Sequence, residues 1–391
     1  MMKVLFVDDE PMVLEGLQQA LRPQRREWEM VFALGGGAAI EALEDTAFDV
    51  VVSDMRMPKV DGSAVLRRAA ERSPQTVRIA LSAQTDMGAM LRTVGFVHLF
   101  LAKPCDTKVL VDAISRVRQL HALLDSPALR ALVGATSSLP TPRGVYAALE
   151  RAVMSPTTGL DSIAEIVAQD VGLSAKILQL VNSAFFGLPR SSTRIEHAVN
   201  YLGLTVLRAL VLAHEIATVF NDDAEFPLEA YERHAHLVGS IARRLVRERT
   251  RSEEAFVAAL LHDVGKMILA SQMPQQYRAA MHLSMANAIP MHAAELELFG
   301  TTHAEVGAYL LGLWGIPFTI VEAVANHHAP GRVSMDGTHE VLTAVHVADA
   351  LAHELRSGER AALNRLDMQF LETRSVDMAA WRNVAADCYQ G

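Results

Sequence analysis

Two periodicities divide the chain. Over roughly the first 125 residues, short apolar runs rich in β-branched residues recur: VLFVDD, MVFAL, DVVVSD, RIALSA and HLFLAKP. Each is too short for a helix, and between them GAAIEAL and GSAVLRRAAER carry apolar residues at helical spacing. Alternation of this kind predicts a parallel sheet with helices on both faces. From about residue 140 onward no stretch reads as a strand. Helical patterns run to the end, punctuated at PTPRG, FGLPRS, DDAEFP, ASQMP, WGIP and HHAPGR. LLDSPALRALVGATSSLPTP mixes a short helical pattern with Ser, Pro, Thr and Gly and reads as the joint. The expected organisation is an α/β domain over residues 1–122, a linker over 123–136, an all-helical domain over 137–355 and a helical extension over 356–391.

Bulk properties narrow the function. A chain of 391 residues exceeds the size at which one core stops growing, so two domains are expected. A net charge of −9 argues against a broad nucleic-acid footprint, and no DNA partner is expected. Cys105 and Cys388 lie far apart in no metal-type spacing, which suits a reducing cytoplasm. MMKVLFVDDE reaches acidic residues at once and lacks the layout of a signal peptide. The most apolar long window, LTVLRALVLAHEIATVF, contains Arg208, His214 and Glu215, so it reads as a core helix and no membrane partner is expected. Arg243, Arg244, Arg247, Arg249 and Arg251 form a basic run that reads as a solvated helix end.

In an open parallel sheet, ligands gather at the carboxyl ends of the strands. Those ends carry Asp8 and Asp9, then Asp54, Ser82 and Lys103. Converging carboxylates repel one another unless a hard cation sits among them, and Mg²⁺ is the natural occupant. An aspartate beside it can act as a nucleophile toward phosphorus, with lysine and serine neutralising and hydrogen-bonding the phosphoryl oxygens. VDDE, SDMRMPKVDG, LSA and LAKP resemble the receiver domain of two-component response regulators over about residues 1–122. The resemblance implies a flavodoxin-like five-stranded fold in which a sensor histidine kinase phosphorylates Asp54. It further implies that Asp8 and Asp9 hold Mg²⁺ with Asp54, that Lys103 meets the phosphoryl group and that Ser82 is the switch hydroxyl. Phe100 falls at the switch-aromatic position, where a core role is equally expected. Cys105 stands where phenylalanine is common.

Only His98 and His121 of the 15 histidines precede residue 190. LLHDVGKM sets His262 beside Asp263 in an apolar segment, and both residue types bind first-row metals if the helix ends or distorts there, for which Gly265 offers a means. Further ligand types follow the same helical logic: His234 in HAHLVGSIARRL, His303 in THAEVGAYLLGLW, His327 and His328 after IVEAVAN, and Asp349 in VLTAVHVADALAHEL. Seven such groups suffice for a two-metal centre that turns water on phosphorus, with Lys266 steadying a phosphate oxygen.

Their order resembles the HD superfamily of metal-dependent phosphohydrolases. SLPTPRGVYAALERAV, IAEIVAQDVGLSAKILQLVNSAFFG, IEHAVNYLGLTVLRALVLA, LLHDVGKMIL and THAEVGAYLLGLWGIP are similar to the HDOD family, the HD-related output domain, over about residues 137–330. That resemblance implies a signalling output whose metal set is often incomplete, with Mn, Fe, Zn or Ni as the candidate ions. HH is followed here by APGRVSMDG, without the glycine-tyrosine-proline signature of the cyclic-di-GMP phosphodiesterase branch, which argues against that substrate. Asp170-Val171 replaces a common Asp-Pro at a turn. His214, His282, His292, His346 and His353 are expected to be core residues. NSAFFG reads as a tight helix junction and MHLSMANAIPMH as gap-filling core or adaptable surface.

The leading expectation is a cytoplasmic response regulator that relays phosphorylation through protein or nucleotide interaction, with a second copy of the chain as a candidate partner. The alternative is a phosphorylation-gated metal phosphohydrolase acting on a nucleotide or cyclic dinucleotide.

Overall fold

The computed structural model describes the chain except for residues 84–92, 184–191, 213–216, 221–225, 335–338, 358–364, 373, 375 and 391. The N-terminal strands are β1 (Met2–Asp8), β2 (Trp28–Leu34), β3 (Val50–Asp54), β4 (Val77–Ala83) and β5 (Leu99–Lys103), one for each apolar run. All pair in parallel, in the order β2-β1-β3-β4-β5. Val4 to Phe6 and Val50 to Val52 are almost wholly buried, as continuous apolar runs must be when helices cover both faces. Helices α1 (Pro11–Ala20), α2 (Gly35–Asp45) and α3 (Gly62–Arg72) lie against this sheet, and α4 (Thr107–Leu123) follows β5. Strand order reverses between β1 and β3, which makes their carboxyl ends the crevice of the domain.

Helices account for nearly all the rest: α5 (Pro127–Gly134), α6 (Arg143–Met154), α7 (Leu160–Ala168), α8 (Val171–Asn182), α9 (Ile195–Leu212), α10 (Leu228–Leu245), α11 (Arg249–Leu261), α12 (Val264–Gln272), α13 (Pro274–Asn287), α14 (Met291–Phe299), α15 (His303–Leu313), α16 (Phe318–Asn326), α17 (Glu340–Ser357), α18 (Met368–Glu372) and α19 (Met378–Gln390). The expectation of no strand beyond residue 140 needs correction. Strands β6 (Pro140–Pro142) and β7 (Thr218–Phe220) pair in parallel. Three residues, two of them proline, are too few to show a period of two.

Among the described residues, α9 is the helix long and apolar enough, by length and composition, to cross a membrane. Within the fold Gly203, at φ 71°, interrupts it, and Ala198, Val199, Leu207 and Leu210 are buried where it packs on α6, α7 and α8. Residue 214 and most of NSAFFG lie outside the described residues.

The two halves share a packed seam. Helix α4 lies along α15, where Gly312 faces Leu120 so closely that a Cβ on Gly312 would overlap it. Arg78, buried on β4, donates to the Gly134 carbonyl at the end of α5 at 2.6 Å. Lys176 of α8, wholly buried, donates from Nζ to the Val94 carbonyl at 3.1 Å and the Ser137 carbonyl at 2.6 Å. Buried cations held by carbonyl oxygens, with His98 Nε2 2.8 Å from the Arg78 guanidinium and the Trp314 ring facing Lys176 Nζ at 5.3 Å, tie the α/β half to the helices.

Candidate functional site

The parallel register carries four polar residues to one end of the sheet. Asp8 closes β1, Asp54 closes β3, Ser82 lies near the end of β4 and Lys103 closes β5. Asp8, Asp9 and Asp54 each offer a carboxylate oxygen within 4.8 Å of the others. Lys103 Nζ stands 2.9 Å from Asp8 Oδ2 and 3.0 Å from Asp54 Oδ1. Burial pushes the Asp54 carboxyl above its usual range; Lys103 pulls it back and Asp8 adds to the rise. Burial works against the charge on Lys103, yet the two carboxylates hold its proton more firmly than usual. Ser82 is buried on the strand between those of Asp54 and Lys103, and Phe100 is a core residue at 2 % exposure. Gly62, which sequence reasoning passed over, starts α3 directly against the Asp54 carbonyl, where a Cβ would collide with the backbone. Three carboxylates facing a crevice form a hard oxygen set that could hold Mg²⁺.

The second constellation forms where α10, α11, α12, α15, α16 and α17 meet. Helix α11 stops at Leu261, His262 caps it, and Asp263 is the N-cap of α12, so the break between helices turns both side chains inward. Gly265 serves differently from the expected kink: its φ is unexceptional, and its missing Cβ lets α12 touch the His303 carbonyl and the Gly307 backbone of α15. His303 is the first residue of α15, under a Thr302–Glu305 capping box. His327 ends α16, and Asp349 lies within α17. His234 sits well inside α10, although the sequence pattern put it at a helix start.

All seven expected residues converge, in two groups. Asp263, His303, His327 and His328 form one; His234, His262 and Asp349 form the other. Within each, the ligand atoms lie within 4.8 Å of one another. His303 Nε2 is 3.0 Å from Asp263 Oδ1, His234 Nε2 is 3.0 Å from Asp349 Oδ1, and His262 Nε2 is 3.3 Å from Asp263 Oδ2, which links the groups. Four buried atoms of this set have no hydrogen-bond partner: His234 Nδ1, His262 Nε2, Asp263 Oδ1 and His327 Nε2. Buried polar atoms are seldom left so, and here the last three face one another across the space between the helices. Burial drives His327 and His328 toward the neutral, ligating form. Burial opposes the charge on Asp263, but His262, Lys266 and His303 hold it well below the usual carboxylate range. The donor set, imidazole nitrogen with carboxylate oxygen, fits Mn, Fe, Zn or Ni.

Three of the histidines expected in the core have other places. His353, one turn after Asp349 on α17, brings Nε2 to 3.4 Å from Asp349 Oδ1, and its ring tilts over His234 at 4.7 Å. His292 stacks on His328 at 4.0 Å. His282 is exposed on α13. Amphipathic spacing marks a face of a helix, not the group across from it, so it could not separate these from core residues. His346 is buried as expected, with Nδ1 on the His327 carbonyl at 2.7 Å. Sequence reasoning also missed Glu295, which accepts from His303 at both its backbone N–H and its ring.

A family model for the response regulator receiver domain matches residues 4–115, and one for the HDOD domain matches residues 139–330. Among curated proteins, an uncharacterized protein of Treponema pallidum is 26% identical over 183 residues, which is 46% of this chain and 36% of its own length. The transcriptional regulatory protein TrcR of Mycobacterium tuberculosis is 31% identical over 133 residues, 33% of this chain and 50% of its own. The chain thus spans between about a third and three-fifths of the first curated relatives it matches. The MmoQ response regulator of Methylococcus capsulatus str. Bath shares the fold over 63% of this chain and 98% of its own, at 24% identity and a TM-score of 0.50. So does a virulence factor of Campylobacter jejuni, over 67% of this chain and 97% of its own, at 19% identity and a TM-score of 0.51.

Proposed function

We propose that this response regulator, a receiver domain followed by an HDOD output domain, accepts a phosphoryl group on Asp54 from a sensor histidine kinase and passes the event to its helical half. The observation that carries this reading is the position of Lys103 Nζ, shared between Asp8 and Asp54 at 2.9 and 3.0 Å. Asp8, Asp9 and Asp54 would hold Mg²⁺, which when bound offsets charge on the incoming phosphoryl oxygens. An Asp54 carboxylate oxygen attacks phosphorus, the phosphorus–nitrogen bond of the donor histidine breaks, and an acyl phosphate forms. Lys103 then follows the phosphoryl oxygens, and the Ser82 hydroxyl donates to one of them.

Relay to the output has a physical route in α15, which carries His303 at its first turn and Gly312, seated on Leu120 of α4, at its last. A rigid helix cannot shift at the seam without shifting at the other end. The downstream partner in this reading is a cytoplasmic protein or a nucleotide, or a second copy of the chain. Acetyl phosphate should label the full-length protein at one site, and Asp54→Ala should abolish the label. Persistence of labelling in that variant overturns the assignment.

A second reading, a phosphorylation-gated metal phosphohydrolase, is favoured by the orphaned buried atoms of His262, Asp263 and His327. His234, His262, Asp263 and Asp349 would hold one ion, and His303, His327 and His328 a second beside Asp263. Bound metal would supply a Lewis acid for phosphoester chemistry; Lys266, paired with Asp263, lies where it can orient a phosphate oxygen. Stoichiometric Mn, Fe, Zn or Ni in purified protein, with phosphate release lost in Asp263→Ala, supports it. Failure to load any of these ions removes it.

A further inference from the structure

We infer that Glu295 is a positioning residue that fixes the tautomer of His303 and so reserves its Nε2 lone pair for a metal ion. The inference rests on the reading of the His/Asp groups as a metal centre.

Glu295 lies on α14 with no exposed surface. The turn after α14 passes through Gly300 at φ 68°, a left-handed conformation that glycine adopts at little cost, and brings the start of α15 back beside it. One oxygen, Glu295 Oε2, then accepts twice from the same residue: from the His303 backbone N–H at 2.8 Å and from the ring Nδ1 at 2.6 Å. With the Glu295 oxygen as acceptor, this contact places the ring proton on Nδ1. Both the chain position and the ring plane of His303 are held by that single atom.

The other ring nitrogen is the consequence. With the proton on Nδ1, a neutral ring carries its lone pair on Nε2, and that nitrogen faces Asp263 Oδ1 at 3.0 Å and His328 Nε2 at 2.9 Å. A lone pair opposite a carboxylate oxygen is repulsive unless a proton or a metal ion lies between them. Asp263 Oδ1 and His327 Nε2, 3.8 Å apart, have no hydrogen-bond partner. An ion shared by these groups would satisfy all of them at once. Carboxylate-to-histidine contacts behind a metal ligand act in this way, orienting the ring and strengthening it as a donor.

The test uses the full-length chain, stripped by chelator and titrated with Mn²⁺ by calorimetry and with Co²⁺ by visible absorption. Glu295→Gln is expected to weaken uptake on the order of 10–100-fold and to alter the Co²⁺ spectrum, with the metal-free melting temperature serving as the check on folding. Glu295→Asp, which draws the carboxylate back by one methylene, should fall between the two. Wild type that takes up neither ion overturns the metal-centre reading, and this inference with it. Wild type that loads, with a folded Gln or Asp variant matching its affinity and spectrum, overturns the role of Glu295 alone.

Discussion

Gly312 and Leu120 meet across the seam between the two domains with no room for a Cβ between them. Leu120 is buried on α4 at 4 % exposure, so a side chain at 312 has to displace it or lift the helix. Gly312→Leu is therefore expected to cost ~1–3 kcal/mol through overpacking. It should also raise amide exchange along α4 while leaving the strands β1 and β3 protected. Exchange mass spectrometry of the full chain reads both; an unchanged α4 would show that the seam does not hold the receiver in place.

The sheet was legible because its strands are buried on both faces and so written as continuous apolar runs, VLFVDD and DVVVSD among them. Position at strand ends then brought Asp8, Asp54 and Lys103 together without further information. The seven groups of the helical half were legible from residue type and order, since each sits at a helix end or on an inward face. Contacts across helices were not. Glu295 looks like any acid in MHAAELELF, and nothing near it in sequence announces His303 eight residues on. His292 and His353 have the spacing of core residues and stand against His328 and Asp349 instead. The sequence suggests Gly265 as a means to distort a helix; in the fold it permits the close approach of α15.

That approach makes Gly265 a sensitive position. A Cβ there would collide with the His303 carbonyl and the Gly307 amide, both backbone atoms that cannot rotate away. Gly265→Ala should destabilise the helical domain by roughly 1–3 kcal/mol, as overpacking does. It should also separate Asp263 from His303 and lower the metal content of purified protein. Thermal unfolding and elemental analysis on one preparation check the pair; a stable variant with full metal content would contradict the packing argument.

At the receiver crevice, the opposing influences on Asp54 can be separated. Burial and Asp8 raise its pKa, and Lys103 restrains the rise. Lys103→Met removes the restraint, so the Asp54 carboxyl should titrate at still higher pH than in wild type. Carboxyl-carbon NMR of the full chain follows this directly, and labelling by acetyl phosphate, which needs the carboxylate, should fall off at correspondingly higher pH. An unmoved titration would mean that Lys103 does not govern the charge state of Asp54.

A last prediction concerns two buried acids outside both sites. Asp170, the N-cap of α8, accepts from Leu173 N at 2.6 Å and from Thr141 Oγ1 at 3.1 Å, and Glu232 of α10 lies close enough for the two carboxyls to influence one another. Burial first, and then the charge of Asp170, push Glu232 from 4.5 up to about 9. A raised carboxyl holds a proton in the folded chain that the unfolded chain has already released. Between pH 4.5 and about 9 the folded state therefore binds more protons, and stability falls as pH rises through that window. The sign is opposite to that of an ion-paired carboxylate. Glu232→Gln keeps a donor toward Asp170 without a titrating proton, so the melting temperature of the variant should decline less than that of wild type from pH 6 to pH 9. If both lose stability equally over that range, the Glu232 proton does not set the pH dependence.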